Sequence, residues 1–500
     1  MRKIFGKLET WVFYLLVFAI PFETRVIVAR WTQPFNEWTA GFIYGTDILL
    51  AAIFIFWLVR NLKAAKISNF KPSTRAQLGA GPVPHRNEVS GAGFLISKRI
   101  PNPKSQLLKS PSLWLLLFFT VSALSIFNSR IIGLSLYQLL KLAEFIGFYF
   151  YLRSAFGKIY KFREVLMVII TSGIFQAAIA IAQYFKQGSL GLKLLGESPL
   201  SVNATGVAVF IADSGKYLRA YGTTPHPNVL AAWLFLAIFA FYNYYFYFYP
   251  HTKRELVKSR AAGADSRYGV GVYLRDKSHL GKFFLICQPV LLVGLFFTFS
   301  RTIIGLWALG AVIRVLLLFR KSFRGFLIAT KQYAVTIAVI TLVTSALFAV
   351  FFWPQVKSRA LISSEEEAVT QRIFYNKIAG SVTIANPILG VGIGQSVPQL
   401  MTKLKHWPAN IYQPVHNIYL LIASETGLVG LALFLLFLFF VLYNFGHSSR
   451  FQKPYHFSFF ILAFSFLLMG LFDHFLWTLQ QGSLIFWMTL ALISLNPDLG

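Results

Sequence analysis

Cysteine is nearly absent from this 500-residue sequence, whose one cysteine is Cys287, so no intramolecular disulfide is possible within it. Charged residues are also scarce, since they make up 13% of the chain against about a quarter of a typical soluble domain. No spacing of cysteine and histidine indicates a zinc site. With 56% hydrophobic residues, this scarcity of charge excludes an ordinary soluble protein and indicates an integral membrane protein.

Twelve apolar runs approach the length, about 20 residues, that a helix needs to cross a hydrocarbon core of about 30 Å. Backbone polar groups inside lipid must be satisfied within their own segment, which leaves helices as the structure of such runs. The sequence therefore predicts an all-α integral membrane protein with about twelve transmembrane helices. The runs cover residues 8–22, 46–61, 112–127, 135–152, 164–184, 227–249, 283–299, 302–319, 332–353, 417–443, 456–476 and 482–495.

Acidic residues are few, 18 against 47 lysines and arginines, and the formal net charge is +29. In a soluble protein this charge would suggest nucleic acid as a partner, but here the basic residues concentrate in every second loop between the apolar runs. Loops rich in Lys and Arg stay in the cytoplasm. This distribution predicts cytoplasmic N- and C-termini and no nucleic-acid partner, and we interpret the first run as an uncleaved span.

Loop composition divides the chain further. The basic loops 62–110 and 251–282 are rich in Gly, Pro and Ser and are interpreted as flexible connections. Two long loops on the opposite side, 185–226 and 354–416, contain spaced apolar and aromatic residues, which predicts a partly helical outer (periplasmic) cap. Four tryptophans suit the outer interface belt: Trp31, Trp38, Trp353 and Trp407.

We therefore expect four parts in the chain. Residues 1–226 hold the first five membrane helices with loops 62–110 and 185–226, and residues 227–353 hold helices six to nine. Residues 354–416 form a large outer loop that carries part of the site, and residues 417–500 hold the last three helices.

Four polar features fall in the predicted outer loops. They are the turn from Arg219 to His226-Pro-Asn228, the pair Ser300-Arg301, Arg372 followed by the glycine-rich stretch 386–394, and the pair His416-Asn417. Arginine suits planar, bidentate capture of phosphate, and histidine has a pKa near neutrality. Asp473 and His474, near the outer end of the eleventh run, are further candidates for the same cavity.

Each feature also has a structural interpretation. Arg219 can be a solvated loop charge, and His416 can be an interfacial residue at the entrance of a helix. The glycines of the stretch 386–394 can provide a flexible turn, and glycine spacing alone is a weak signal. Arg301 is harder to explain in this way, because a charge near hydrocarbon is costly and usually has a partner or a task.

Taken in order, these motifs resemble the O-antigen ligase and O-antigen polymerase family. The resemblance covers residues 219 to 430, and the first 200 residues add little beyond topology. The motifs that carry it are Arg219-x-x-Gly-x-x-x-His226-Pro-Asn228, Ser300-Arg301, Arg372, Pro387-x-x-Gly-x-Gly-x-Gly394, His416-Asn417-x-Tyr419 and Glu425-x-Gly427-x-x-Gly430.

The resemblance implies an inverting, metal-independent glycosyltransferase without a cofactor. Its donor would be a glycan on a polyprenyl diphosphate at the outer face of a bacterial inner (cytoplasmic) membrane, and its acceptor a hydroxyl of a glycan, a lipid or a protein. By the same resemblance His416 would be the general base, and Arg219 and Arg301 would hold the diphosphate. Arg372 is a further match, with Phe374 or Tyr375 where the family often has an aromatic residue. Supporting roles would fall to His226, Asn228, Asn417 and Tyr419.

Several alternatives stay open at this point. Ligase, polymerase and protein glycosylation are the same chemical step with different acceptors, and the motifs do not separate them. A twelve-span secondary transporter has a matching span count, but transporter halves usually show internal symmetry, and the loop 354–416 has no counterpart in the first half. A scaffold that only binds lipid-linked glycan is the third possibility.

Overall fold

A computed structural model gives the fold. It describes residues 2–69, 107–213, 215–245, 286–318, 324–360, 367–405, 407–408, 411–448 and 454–495. The loops 62–110 and 251–282, which we interpreted as flexible connections, lie mostly or wholly outside the described residues, and that interpretation stays a prediction.

Helices make up most of the described chain. In chain order they are α1 (Arg2–Ala19), α2 (Gly45–Asn69), α3 (Pro111–Leu124), α4 (Ile132–Ala155), α5 (Phe162–Lys186), α6 (Pro227–Asn243), α7 (Ile286–Phe297), α8 (Arg301–Leu318), α9 (Arg324–Phe351), α10 (Trp353–Ala360), α11 (Glu367–Ala385), α12 (Ser396–Lys403), α13 (Ile418–Gly446), α14 (Pro454–Met469), α15 (Phe475–Thr478) and α16 (Gln480–Ile493).

Each of the twelve apolar runs overlaps one of these helices, so the prediction is confirmed in part: the protein is a mostly helical membrane protein, with a small amount of β-structure. Five stretches within the described residues are both long and apolar enough to cross a membrane: Gly45–Leu62, Pro111–Asn128, Phe162–Lys186, Ala334–Phe351 and Ile418–Gly446. Others are apolar but shorter, among them α6, α7 and α16. The count of twelve spans and their orientation stay predictions.

Helices α6 and α16 form the centre of the helical bundle. All fourteen residues of α16 are buried, as are all residues of α6 except Asn228. A helix that is apolar on every side is stable either in lipid or inside a protein, and α6 is packed inside the protein against α5, α8, α14 and α16. This central position holds the first turn of α6 in a fixed place.

Little β-structure is present. Strands β1 (Arg25–Arg30) and β2 (Ala40–Tyr44) pair antiparallel, and so do β3 (Val209–Ala212) and β4 (Gly215–Leu218). The second hairpin lies in the predicted outer loop 185–226, while the other predicted outer loop, 354–416, contains α10, α11 and α12. Both segments therefore contain ordered structure, and their side of the membrane stays a prediction.

Helix α13 is broken at Gly427. This residue has φ 76° and ψ 177°, a conformation that is essentially restricted to glycine. The break frees backbone groups, and the glycine-rich stretch binds them: Val391 N donates to Ser424 O at 2.9 Å, Gly392 N donates to Glu425 O at 2.9 Å, and Leu428 N donates to Pro387 O at 2.7 Å. The stretch thus has a defined backbone role beside the broken helix.

Replacing Gly427 by alanine is expected to lower the free energy of unfolding by about 1–3 kcal/mol from backbone strain alone. A Cβ at this position would also lie 2.0 Å from the Ile388 carbonyl oxygen, which adds to the loss. Thermal unfolding in detergent measures the effect. Gly446→Ala at the end of the same helix is the control, because nothing lies within 4 Å of a Cβ there. Equal stability of the two variants would contradict the strain argument.

Candidate active site

The site begins where the chain leaves β4 and runs beside the turn between α7 and α8. Ala220 N donates to Phe297 O at 3.0 Å, and Arg219 Nε donates to Thr298 O at 2.8 Å. Phe299 closes this turn with a left-handed φ of 46°, which is rare for a bulky residue. Since Arg301 is the first residue of α8, two of the predicted phosphate-binding arginines lie on adjoining segments.

Asn228 links three distant parts of the chain at the start of α6. Its Oδ1 accepts hydrogen bonds from Arg219 Nη2 at 2.7 Å and from Ser300 Oγ at 2.9 Å. Its Nδ2 donates to Asp473 Oδ2 at 2.6 Å. The preceding His226 caps α6, because its Nδ1 accepts from Asn228 N at 3.1 Å. These bonds fix the orientation of the Arg219 guanidinium relative to Asp473.

Asp473 and His474 lead from this network to the candidate base. Asp473 Oδ1 accepts a hydrogen bond from His474 N at 2.8 Å. The His474 ring lies 4.8 Å from the His416 ring, centroid to centroid, and its Nδ1 is 2.6 Å from Thr478 Oγ1. From the sequence, Asp473 and His474 were only further candidates for the site. The structure puts them between Asn228 and His416.

His416 lies immediately before α13, at the position the sequence predicts. Asn417 is the N-cap of that helix and accepts hydrogen bonds from Tyr419 N and Leu420 N, which fixes the backbone beside the histidine. The Tyr375 ring lies 5.9 Å from the His416 ring. His416 Nδ1 is buried and has no hydrogen-bond partner among the residues that the structure describes. An unpaired buried nitrogen is costly, so this atom is suited to receive a substrate group.

Two further arginines act on this cluster. Arg372 on α11 lies close enough to His416 and His226 to lower the pKa of both. Arg359 on α10, which sequence analysis missed, acts in the same way on Arg219. The signal that could have revealed Arg359 is its basic side chain in the short segment directly after the ninth apolar run. The cluster therefore collects the three predicted arginines and a fourth.

Positive charge is in excess around Arg219. Burial, with Arg359 and Arg301 acting in the same direction and Tyr221 and Asp473 opposing it, lowers the pKa of its guanidinium to about 9. Arg219 is still protonated near neutral pH. A cation whose pKa is lowered by neighbouring cations gains stability when an anion binds beside it, so the electrostatics favour an anionic ligand here.

The three histidines are neutral near pH 7. Burial lowers the pKa of His226 to about 4 and that of His474 to about 3. Burial also lowers the pKa of His416; Asp473 raises it and Arg372 lowers it. Burial alone would raise the pKa of Asp473, but the three histidines and Asn228 lower it below its usual value. A neutral imidazole beside an ionised carboxylate can accept a proton.

Not every predicted residue points into this cluster. Asn417 is engaged as the helix cap, and the Tyr419 hydroxyl donates to Leu467 O at 2.7 Å, which ties α13 to α14. Asn417 and Tyr419 therefore stabilise the backbone around His416. No group of three His, Cys, Asp or Glu side chains that could hold a metal ion occurs among the described residues.

An apolar groove opens beside the arginines. It has an empty volume of about 820 Å³, counting the space at its mouth, and lies between α8, α9 and α10. Phe296, Phe299, Trp307 and Phe348 line its apolar part, and Arg301 and Arg359 line it as the basic residues. The arrangement can hold a long apolar group that ends in an anion.

Comparison with known proteins gives a family match for part of the chain. Residues 289–435 match the model of a family described as O-antigen ligase. The match includes Arg301, Arg359, Arg372 and His416, and it confirms the resemblance to that family. Comparison with curated proteins gives no match for the chain.

Proposed function

We propose that this chain, whose residues 289–435 match the O-antigen ligase family, is a membrane glycosyltransferase that uses a polyprenyl-diphosphate-linked oligosaccharide. In this proposal transfer takes place at the outer face of a bacterial inner membrane, with inversion at the anomeric carbon. The acceptor is a hydroxyl group of a glycan, a lipid or a protein.

One observation carries the proposal: a histidine with a buried, unpaired Nδ1 among the described residues is connected to a cluster of arginines through three residues. The path runs from the His416 ring to His474, through Asp473, and across Asn228 to Arg219. A general base and a group that binds the leaving diphosphate must act on one substrate. The cluster meets this requirement, although its members are far apart in sequence.

The apolar groove supports a lipid-linked donor. A polyprenyl chain is a long hydrocarbon, and its favourable position is against apolar and aromatic side chains. The diphosphate at its end needs positive charge, which Arg301 and Arg359 provide at the groove and Arg219 provides next to it. In this proposal the groove holds the first isoprene units, and the arginines hold the diphosphate.

The proposed reaction is a single displacement. The acceptor oxygen attacks the anomeric carbon while its proton passes to the His416 imidazole, and a new C–O bond forms. The bond between the anomeric carbon and the diphosphate oxygen breaks, and its electron pair leaves with the diphosphate. Arginines stabilise the charge that develops on the leaving group, so in this proposal they supply what a divalent metal supplies in other glycosyltransferases.

The test is a transfer assay with the wild-type protein in proteoliposomes that contain a polyprenyl-diphosphate-linked oligosaccharide. Three acceptors are compared: a lipid-linked core glycan, a second lipid-linked repeat, and a peptide with hydroxyl side chains. We expect transfer to one of them with release of polyprenyl diphosphate, inverted anomeric configuration by NMR, and unchanged rate in EDTA. Movement of the donor across the bilayer without its cleavage would instead favour a transporter.

Opposite pH shifts are expected from two substitutions around His416. Arg372→Met removes a charge that lowers the pKa of His416, so the acid limb of kcat/KM should move to higher pH. Asp473→Asn removes a charge that raises this pKa, so the acid limb should move to lower pH. The profile of kcat/KM reports groups of the free enzyme.

His226 and His474 face the same carboxylate, and their substitution by Gln should leave the direction of both shifts unchanged. Shifts in the same direction for Arg372→Met and Asp473→Asn would contradict His416 as the titrating base.

A further inference from the structure

A second concavity lies on the other side of the histidine cluster. Its empty volume is about 970 Å³, counting the space at its mouth, and β1, β2, α4, α13, α15 and the start of α16 surround it. It shares no lining residue with the apolar groove that contains Arg301 and Arg359. The proposed function assigns it no role.

Aromatic and polar side chains alternate on its walls. The aromatic residues are Trp38, Phe42, Tyr44, Tyr137, Phe145, Trp477 and Trp487. Binding pockets combine such rings with a few placed polar groups that fix the orientation of a ligand. A sugar ring matches this combination, because its C–H faces can pack against aromatic rings while its hydroxyls need donors and acceptors around the rim.

The polar groups of the cavity are held in place by ion pairs. Lys141 Nζ lies 2.5 Å from Asp47 Oδ2 and 3.0 Å from Glu144 Oε2, and Gln480 Nε2 donates to Asp47 Oδ1 at 2.5 Å. On the opposite wall Arg25 Nη2 lies 3.3 Å from Glu37 Oε2. Arg25 and Lys141 are thus paired with carboxylates, and Glu425, which also lines the cavity, accepts a hydrogen bond from Ser396 N at 3.2 Å. The cavity offers both donors and acceptors, which suits a ligand that carries many hydroxyls.

The cavity adjoins the histidine cluster through two contacts with His474. The Trp38 ring lies 5.0 Å from the His474 ring, edge to face, and Thr478 Oγ1 lies 2.6 Å from His474 Nδ1. Both Trp38 and Thr478 line the cavity. His474 thus contacts both the lining of this cavity and the His416 ring, while Asp473 next to it accepts a hydrogen bond from Asn228, which also binds Arg219.

We propose that this cavity is the acceptor subsite and binds the hydroxyl-rich sugar whose hydroxyl is glycosylated. The inference rests on the proposed function. In an inverting displacement the nucleophile and the leaving group are on opposite faces of the anomeric carbon. The acceptor must therefore approach from a different direction than the diphosphate, and the aromatic cavity and the arginine groove are two separate concavities that adjoin one cluster.

Two substitutions test the subsite. Trp38→Leu removes an aromatic wall, and Gln138→Ala removes a polar group that lines the cavity. Loss of one stacked ring or one hydrogen-bonding group from a sugar site is expected to raise the acceptor KM about ten-fold, with the donor KM within about two-fold of wild type. Trp11→Leu is the control, because Trp11 is 70% exposed on α1 and far from the cavity lining.

The assay separates this inference from the proposed function. Binding of the free acceptor oligosaccharide to detergent-solubilised protein is measured beside transfer, so that the cavity is tested even without turnover. Weaker acceptor binding in both variants, with normal binding in Trp11→Leu, supports the subsite. Unchanged acceptor binding and KM overturn it, and an equal rise of the donor KM overturns it in favour of a donor-glycan site. Absence of transfer by wild type is a failure of the proposed function alone.

Discussion

Replacing His416 by alanine is expected to lower the rate of glycan transfer by about 10²–10⁴-fold, the usual contribution of a general base. The substitution removes the imidazole that accepts the acceptor proton and leaves the arginine cluster in place. Donor binding should therefore persist, so kcat should fall while the donor KM changes little. Initial rates of polyprenyl diphosphate release, measured with saturating acceptor, give the size of the effect.

His447→Ala provides the matched control for this substitution. His447 is exposed at the far end of the same helix, where its ring contacts Tyr443, and its loss should leave the transfer rate unchanged. His416→Gln adds a second comparison, because glutamine fills much of the space of the imidazole but does not act as a base near neutral pH. If His416→Gln transfers glycan at the rate of wild type, His416 is not the base, and its place in the cluster is structural.

The positions of the helices were predictable from the sequence because long apolar runs have one stable structure in lipid. What each helix contacts was not predictable in this way. The helices α6 and α16 are covered by protein on all sides, whereas Leu342 and Val350 of α9 are exposed. A leucine against lipid and a leucine against another helix have the same hydropathy, so the centre of the bundle emerges only from the fold.

Part of the site was also predictable from the sequence. Arginines and a histidine at the ends of apolar runs are unusual enough to be noticed one by one, and the family resemblance gave them roles. The hydrogen bond from Asn228 to Asp473 joins positions 245 residues apart in sequence, and no local pattern contains it. From the sequence, Trp38 is typical of a tryptophan that anchors a protein at the membrane interface. Only the fold shows that its ring lies against His474.

Arg359 was not predicted as a site residue from the sequence. It lies in α10, a helix of eight residues that directly follows α9, and its basic side chain resembles an ordinary interfacial charge. Its importance comes from the turn of the chain after α9, which brings it to the groove beside Arg301 and within electrostatic range of Arg219. At this turn the Phe352 ring packs against Phe297 of α7 and Phe348 of α9, and local sequence does not specify such packing.

Replacing Arg301 by methionine is expected to lower kcat/KM for the donor by about 10²–10³-fold, as loss of a group that stabilises developing charge does. Methionine keeps much of the length of the side chain but removes the charge that binds the diphosphate in the proposed function. Arg301→Lys should recover part of the rate, because lysine supplies a charge without bidentate geometry. The measurement is donor kinetics at fixed acceptor, with inorganic diphosphate as a competitor that should inhibit wild type more strongly than Arg301→Met.

Two comparisons decide whether the effect belongs to the diphosphate. Arg130→Met is the control for loss of charge, because Arg130 is exposed in a predicted outer loop and hydrogen-bonds Thr402 outside the groove. Arg359→Met should weaken donor use in the same sense as Arg301→Met, and the double variant should lose less than the product of the two single losses, since both residues face one ligand. Independent, multiplicative losses would place the two arginines on different ligands and remove Arg359 from the proposed diphosphate site.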